Sequence, residues 1–430
     1  MKEKDIEDFD LIGARLVDPS AGIDRVADLF IRKGIIYHEA PLDKKNHKVF
    51  NLSGHVILPG LLDLRAHNRV PGLAKSENIE TLTKAAAKGG FSSILAMPNT
   101  SPYSDNPATI RYIQDRVKQS SKIKVYLSGC LTVGSKGESI APIGSLKDVG
   151  VVAVTDCPST PSDNEIFTNA IKYAKMFGLT VIDFPQDPFL TQNCHAHESA
   201  LSIKMGLRGS PRLAEELSVQ RAILVAKHLE VSIHISSISS AGSVSLIKLA
   251  KESNIKITAD VSAHHLISTE DLIRDYNTCA KLLPPLREES DRIALIEGIK
   301  SNIIDACNSS HEPYSEHLKN VEFDKAPCGA TGLETALLSF LEAIELADPF
   351  PLAAQKLSSN PHTILALPSP TLKDGGCANL VVINQDKEFV YKPNIGESLS
   401  FNTPLVNHQF KHSIKLTVSD GKIAYEQKSN

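Results

Sequence analysis

The chain has 430 residues, of which 42% are hydrophobic and 22% charged, and it carries a formal net charge of −4. This length is sufficient for a barrel of about 250 residues and a second domain. No apolar run reaches the roughly 18 residues of a membrane span, and no long basic run suggests a nucleic-acid surface. We therefore expect a globular protein with no membrane and no nucleic acid among its partners.

Two further features bear on the cellular compartment. The N-terminal residues 1–5 are polar and show no signal peptide, which predicts a cytoplasmic protein. The seven cysteines include no Cys-x-x-Cys pair, so we expect reduced structural thiols rather than disulfides or a zinc ribbon.

Both ends of the chain carry short alternating runs that are typical of strands. At the N-terminal end they cover residues 11–17 and 28–36, and at the C-terminal end residues 378–383 and 414–425. The last run contains an Asp-Gly hairpin signal. These runs predict one small β domain built from both termini.

Between the termini, apolar strand-like runs alternate with helical patterns, as a parallel α/β sheet requires. After an opening strand that ends near residue 64, the candidate strands are 92–97, 124–127, 151–155, 180–183, 231–236, 255–258 and 303–306. Eight strands, each followed by a helix, favour a (β/α)8 barrel with its active site at the carboxyl ends of the strands. An open doubly wound sheet remains the alternative at this stage.

The end of the opening strand carries an unusual cluster of basic side chains. It reads Gly60-Leu-Leu-Asp-Leu-Arg-Ala-His-Asn-Arg-Val-Pro-Gly72. Residues two apart on a strand share a face, so Arg65, His67 and Arg69 are expected to point the same way.

This stretch resembles the metal-binding opening of the dihydroorotase branch of the amidohydrolase superfamily, which reads Asp-Leu-His-x-His-x-Arg-x-Pro-Gly. The family's later landmarks also occur in order, at Met97–Pro102, Ser239–Ser243, Ala263–Ile267, Pro284–Arg287, Gly329–Thr335 and Asn360-Pro361. The resemblance implies an α/β fold, a (β/α)8 TIM barrel of the amidohydrolase type over residues 56–369. It also implies a small β-sandwich domain built from residues 1–55 plus 370–430.

The resemblance implies that most of the family's zinc ligands have been replaced. Four ligand positions hold Arg65, Phe184, Ser237 and Ser310, and the remnant ligands are His67 and Asp156. A catalytic zinc site needs about three protein ligands, and a guanidinium has no lone pair to offer. We therefore expect no metal, no other cofactor and no catalytic residue, because Ser310 also replaces the family's general base.

The substrate-binding positions are only partly kept. By resemblance, Arg69, Asn99 and His311 are remnants of the substrate site, whereas Leu283 stands where the family has an asparagine. An ion pair with an acidic neighbour is the alternative role for Arg69.

The leading hypothesis is a non-catalytic dihydroorotase homologue, a pseudoenzyme of pyrimidine biosynthesis that supports aspartate carbamoyltransferase assembly. Its partner would be the transferase catalytic chain, with a homodimer of this chain inside a larger assembly. One alternative is a dihydroorotase or amidohydrolase with a degenerate or single-metal site that acts on a cyclic amide. Another is a binding protein for an anionic pyrimidine precursor, because Arg65 and Arg69 add positive charge.

Overall fold

The structure, a computed structural model, describes residues 7–41 and 47–428. The N-terminal residues 1–5, on which the signal-peptide prediction depends, lie outside these ranges. Within them, no helix is both long enough and apolar enough to cross a membrane.

The strands of the described residues are, in chain order, β1 (Phe9–Asp18), β2 (Ile23–Arg32), β3 (Ile35–Tyr37), β4 (Lys48–Asn51), β5 (His55–Pro59), β6 (Leu61–Ala66), β7 (Phe91–Ala96), β8 (Lys124–Gly129), β9 (Ala153–Val154), β10 (Thr180–Asp183), β11 (Ala196–His197), β12 (Gly209–Ser210), β13 (Ile233–Ile235), β14 (Ile257–Ser262), β15 (Ala306–Asn308), β16 (Leu380–Asn384), β17 (Phe389–Val390), β18 (Gln409–Phe410), β19 (Ser413–Ser419) and β20 (Lys422–Glu426).

The α-helices of the same residues are α1 (Ile79–Lys88), α2 (Pro107–Ser120), α3 (Ile143–Asp148), α4 (Asn164–Met176), α5 (Ala200–Lys204), α6 (Arg212–Leu229), α7 (Ala241–Glu252), α8 (Ala263–Ile267), α9 (Glu289–Lys300), α10 (Glu316–Lys319), α11 (Ala336–Ile344), α12 (Phe350–Ala354) and α13 (Asn360–Ile364).

Eight of the strands form a nearly closed parallel barrel. They pair in the order β6, β7, β8, β9, β10, β13, β14 and β15, and a bridge between Ala66 and His311 joins the last strand to the first. Residues on both faces of β6 and β7 are buried, as expected for parallel strands that pack against helices on the outside and side chains on the inside. The predicted barrel is confirmed.

The sequence placed most barrel strands well, and the overlap between the predicted and the observed strand is smallest at the last one. The apolar run 303–306 predicted a strand, but β15 begins only at Ala306. Ile304 packs in the core without belonging to the sheet. An apolar run indicates that a segment is buried, but burial alone does not distinguish a strand from a buried turn.

A second sheet, with the order β20-β19-β16-β5-β1-β2-β3 and β4 paired to β1, unites both termini as predicted. It also contains β5, so the chain leaves this sheet at Gly60, whereas the predicted domain boundary is at residue 55. The apolar run 56–64 looks continuous because β5, in the terminal sheet, and β6, in the barrel, are both buried. The chain passes between them at Gly60, where a Cβ atom would collide with Ser92.

The segment between β16 and β19 packs against the barrel. Tyr391 and Phe410 belong to the core cluster that contains the barrel strands, and Phe389 packs against that cluster. This segment therefore covers the barrel, and its aromatic residues stabilise it there.

Candidate active site

Arg65, His67 and Arg69 lie together at the carboxyl end of β6, as the strand period predicted. All three are buried, with at most 3% of their surface exposed. Arg65 Nε donates to His67 Nε2 over 3.4 Å. The group is therefore shielded from solvent.

Glu312 is the acidic residue of this group, and the sequence analysis missed it. Its Oε1 lies 3.4 Å from Arg69 Nη2, and its Oε2 lies 3.7 Å from His67 Nε2. Burial alone would raise the pKa of Glu312, but neighbouring positive groups, Arg69 and Arg65 among them, lower it. Arg69 therefore forms an ion pair in the structure, as the alternative role predicted, and Glu312 is its partner.

His67 is held in one tautomer by its two neighbours. Nδ1 lies 2.8 Å from Asn99 Oδ1 and donates to it, because Nε2 accepts from Arg65. Burial lowers the pKa of His67 to about 4, and the two arginines act in the same direction. The imidazole is therefore neutral at pH 7.

Two of the replaced positions hold the Arg65 guanidinium. It stacks over the Phe184 ring with 4.7 Å between the guanidinium carbon and the ring centroid. Its Nη2 donates to the backbone oxygen of Leu283 over 3.1 Å. The Phe184 ring and the Leu283 backbone oxygen thus hold the Arg65 guanidinium, through a cation–π contact and a hydrogen bond. By resemblance, Arg65 occupies the position of a metal ligand.

The two replacing serines are tied to each other through Asn308. Both have positive φ, +58° at Ser237 and +47° at Ser310, which is uncommon for residues other than glycine. Asn308 Nδ2 donates to Ser237 Oγ over 2.9 Å, and Asn308 Oδ1 accepts from the Ser310 amide over 2.8 Å. Asp260 accepts from the Ser237 amide over 2.5 Å. The Ser237 hydroxyl and the Ser310 amide therefore belong to a polar network inside the barrel.

Two predicted site residues are not brought into the Arg65 group. Asp156 accepts from the amides of Leu131 and Thr132, each over 2.9 Å, and so holds the loop after β8. His311 Nδ1 accepts from the Gly332 amide over 3.3 Å, and His311 Nε2 lies 3.4 Å from Glu77 Oε2. The alternation after β15 explains this, since Glu312 takes the side that His311 leaves.

The zinc ions that the family resemblance implies do not fit these residues. His67 Nε2, the lone pair that would bind a metal, faces the Arg65 guanidinium. Asp156, the other remnant ligand, has both oxygens engaged by the 131–132 loop. A fixed positive charge lies beside His67, and the described residues supply no third ligand here, so the requirement for three ligands is not met.

One other group of metal-capable side chains occurs in the part of the chain that the structure describes, formed by His197, Glu288 and Asp291. Arg212 already binds both carboxylates, over 2.5 Å to Glu288 and 2.6 Å to Asp291. This group is an arginine-bridged ion-pair cluster, so it does not replace the lost zinc ligands.

Comparison with known proteins places the chain in a family. The family described as "Dihydro-orotase-like" matches residues 54–243. A protein of Endomicrobium trichonymphae named dihydroorotase is 36% identical over 96% of this chain and 98% of its own length. Another of that name, from Pelotomaculum thermopropionicum, is 37% identical over 97% and 98%. The chain belongs to the dihydroorotase-like family.

Solved structures agree on the fold of this dihydroorotase-like chain. An L-hydantoinase (dihydropyrimidinase) from Arthrobacter aurescens covers 99% of this chain and 97% of its own with a TM-score of 0.85, at 20% identity. The dihydropyrimidinase from Brevibacillus agri covers 97% and 95% with a TM-score of 0.84, at 18% identity. At such identities the likeness shows the amidohydrolase fold alone.

These relatives overturn one prediction. The replaced ligand positions led us to expect that the chain is not an enzyme, and this is wrong. Relatives at 35–37% identity over nearly the whole chain carry the name dihydroorotase, which points to an enzyme. The error came from inferring inactivity from the predicted replacement of the metal ligands. The absence of zinc stays a prediction about the metal.

Proposed function

We propose that this dihydroorotase-like chain is an amidohydrolase that opens or closes the ring of a cyclic amide at the mouth of its barrel. The observation that carries the proposal is the sequence identity of 36–37%, over nearly the whole chain, to relatives named dihydroorotase. The clustering of Arg69, Asn99 and a neutral imidazole at the carboxyl end of β6 supports it, because barrel enzymes have their active sites at that end.

The side chains at the mouth offer the two functions that such a reaction needs. Arg69 stacks on Tyr314 at 4.5 Å and donates to the Pro313 carbonyl over 3.0 Å, so its guanidinium is held in place for a substrate carboxylate. Neutral His67 can take a proton from the attacking water at Nε2 once the substrate draws the Arg65 guanidinium away from that nitrogen. The proton then passes to the ring nitrogen as the carbon–nitrogen bond breaks.

Turnover is the first test. We expect the purified chain to open dihydroorotate, dihydrouracil or hydantoin, and we expect His67→Gln to lower kcat by about 10²- to 10⁴-fold, the usual contribution of a general base. Activity should survive prolonged dialysis against EDTA, because the site residues do not fit zinc. Ring opening is followed by absorbance, and zinc content by elemental analysis.

The matched control is His228→Gln, since His228 is exposed on α6 and should leave kcat unchanged. If no cyclic amide is turned over faster by the native chain than by His67→Gln, the proposed activity is refuted. Activity that disappears with EDTA and returns with zinc would refute the metal-independent form of the proposal.

We also propose that the chain associates with the aspartate carbamoyltransferase catalytic chain. In support, α6 presents Leu213, Leu217 and Leu224 to solvent, each about half exposed. Leu217, Leu224 and the exposed Phe189 line a groove of about 600 Å³ beside α6. A helix with apolar residues on both its buried and its exposed face is typical of a surface that a protein partner covers.

Co-elution tests this association. A mixture of the two chains at micromolar concentration should elute as one complex. The double variant Leu217→Asp and Leu224→Asp should weaken the complex at least tenfold, because it places charges in an apolar interface. Leu249→Asp is the matched control, since Leu249 is equally exposed but lies on α7. Separate elution of the native chains would contradict the proposal.

A further inference from the structure

A cavity of about 280 Å³ lies at the end of the barrel opposite the mouth, where the barrel meets the sheet built from both termini. Ser92 and Lys124, near the amino ends of β7 and β8, line it from the barrel, and Asp420, in the turn between β19 and β20, lines it from the sheet. Ligand sites usually have volumes of about 300–1,000 Å³, so this cavity suits a small molecule. Its lining residues are distinct from the Arg65 group, so it is separate from the proposed active site.

His362 brings a lone pair to the wall of this cavity. Only 4% of the residue is exposed, and its Nδ1 lies 2.8 Å from the Ser358 backbone oxygen. Because a carbonyl oxygen only accepts, Nδ1 carries the proton, and Nε2 of the neutral ring is then an acceptor. Burial lowers the pKa of His362, which keeps the ring neutral at pH 7. No donor to Nε2 occurs among the residues that the structure describes, so this acceptor needs a donor from water or a ligand.

Two side chains of opposite charge line the cavity without pairing with each other. Lys124 Nζ lies 5.2 Å from the centroid of the Tyr126 ring, and within residues 7–41 and 47–428 no ion pair joins it to a carboxylate. Burial alone would lower the pKa of Lys124, but Tyr126 and Asp420 raise it, so the ammonium is charged at pH 7. The cavity therefore offers one cation and one anion to a ligand.

The serine and threonine hydroxyls of the cavity wall are already hydrogen-bonded. Ser92 and Ser93 both donate to one backbone oxygen of β6, each over 3.2 Å, and Thr371 donates to an aspartate of β1 over 2.8 Å. Pro368 and Pro370 make part of the wall apolar. The charged groups of a ligand therefore meet mainly the ammonium, the carboxylate and the imidazole described above.

We propose that this cavity is a second binding site, for a free α-amino acid in its zwitterionic form. The Lys124 ammonium binds the carboxylate of the ligand, and the ammonium of the ligand donates to the Asp420 carboxylate and to His362 Nε2. A zwitterion satisfies both charges and the lone pair at once, whereas a simple anion or a simple cation leaves one charge of the cavity without a partner. The proline side chains suit a small apolar side chain, such as that of valine.

Titration calorimetry on the full-length native chain tests the site with three matched probes. L-Valine carries both charged groups, isovalerate lacks the ammonium, and isobutylamine lacks the carboxylate. We expect L-valine to bind at least tenfold more tightly than either fragment, because each fragment loses a hydrogen bond between charged groups, which is worth about 10- to 100-fold in affinity. If either fragment binds as tightly as L-valine, or if L-valine does not bind at millimolar concentration, the inference is overturned.

Variants place the binding in this cavity. We expect Asp420→Asn to weaken L-valine binding by about 10- to 100-fold and to leave isovalerate binding unchanged. Asparagine suits this position because φ is +46° there. Lys124→Gln should weaken the binding of both ligands. The matched control is Asp386→Asn, which changes an exposed aspartate outside the cavity and should bind L-valine like the native chain.

Native affinity for L-valine in a folded Asp420→Asn or Lys124→Gln protein would also overturn the inference. The comparison of the three probes needs no variant, so it decides the matter if a variant does not fold. Binding of L-valine is expected whether or not the chain opens cyclic amides. Failure of the proposed catalytic function would therefore leave this inference standing, and the reverse also holds.

Discussion

Removing the Glu312 carboxylate is expected to destabilise the chain by about 3–5 kcal/mol, the range for breaking a buried ion pair. Glu312→Ala leaves the Arg69 guanidinium buried without its carboxylate partner and removes a negative charge near Arg65. The Tyr314 hydroxyl, which donates to Glu312 over 3.2 Å, also loses its acceptor. Urea denaturation at pH 7.5 gives the change in the free energy of unfolding.

Glu297→Ala is the matched control for this measurement. Glu297 is exposed on α9 and pairs with Lys300 over 3.2 Å, so its loss should cost less than about 1 kcal/mol. Glu312→Gln removes only the charge and should fall between the two. If Glu312→Ala and Glu297→Ala lower the free energy of unfolding equally, the Glu312 carboxylate does not stabilise the buried arginines.

Acidification from pH 7.5 to 5 is expected to lower the free energy of unfolding by about 7 kcal/mol. Burial lowers the pKa of His264 to about 3 and those of His67, His265 and His197 to about 4, all below the ordinary value of 6.5. A histidine whose pKa is lower in the folded state binds a proton more readily in the unfolded chain. As the pH falls below 6.5, protonation therefore favours the unfolded chain, and the stabilising contribution of the neutral histidine is lost. Each loses about 2 kcal/mol by pH 5.

Asp63 works in the opposite direction. Burial raises its pKa to about 6, so the folded state binds a proton that the unfolded state does not, and acidification to pH 5 returns about 1 kcal/mol. Urea denaturation at pH 7.5 and pH 5 measures the net change. His264→Leu should reduce the acid loss by about 2 kcal/mol, while exposed His228→Gln should not alter it. A flat stability between these pH values would contradict the prediction.

The sequence by itself determined the fold class and the core of the site. The period of two placed Arg65, His67 and Arg69 on one face, and this depends only on local strand geometry. The run 180–183 predicted β10 with its observed bounds, and the Asp-Gly signal predicted the turn between β19 and β20. These features depend on residues that are close in the chain, so no knowledge of distant contacts was needed.

Only the tertiary structure decided which distant side chains meet. Glu312 becomes the partner of Arg69 because the bridge between Ala66 and His311 brings the two ends of the barrel together across more than 240 residues. The side of the strand that each residue takes there sends His311 toward Gly332 and Glu312 toward Arg69. Asp156 is drawn to the amides of the 131–132 loop, which satisfy its buried oxygens. Motif spacing describes neighbours along one strand, and these contacts depend on the closure of the whole barrel.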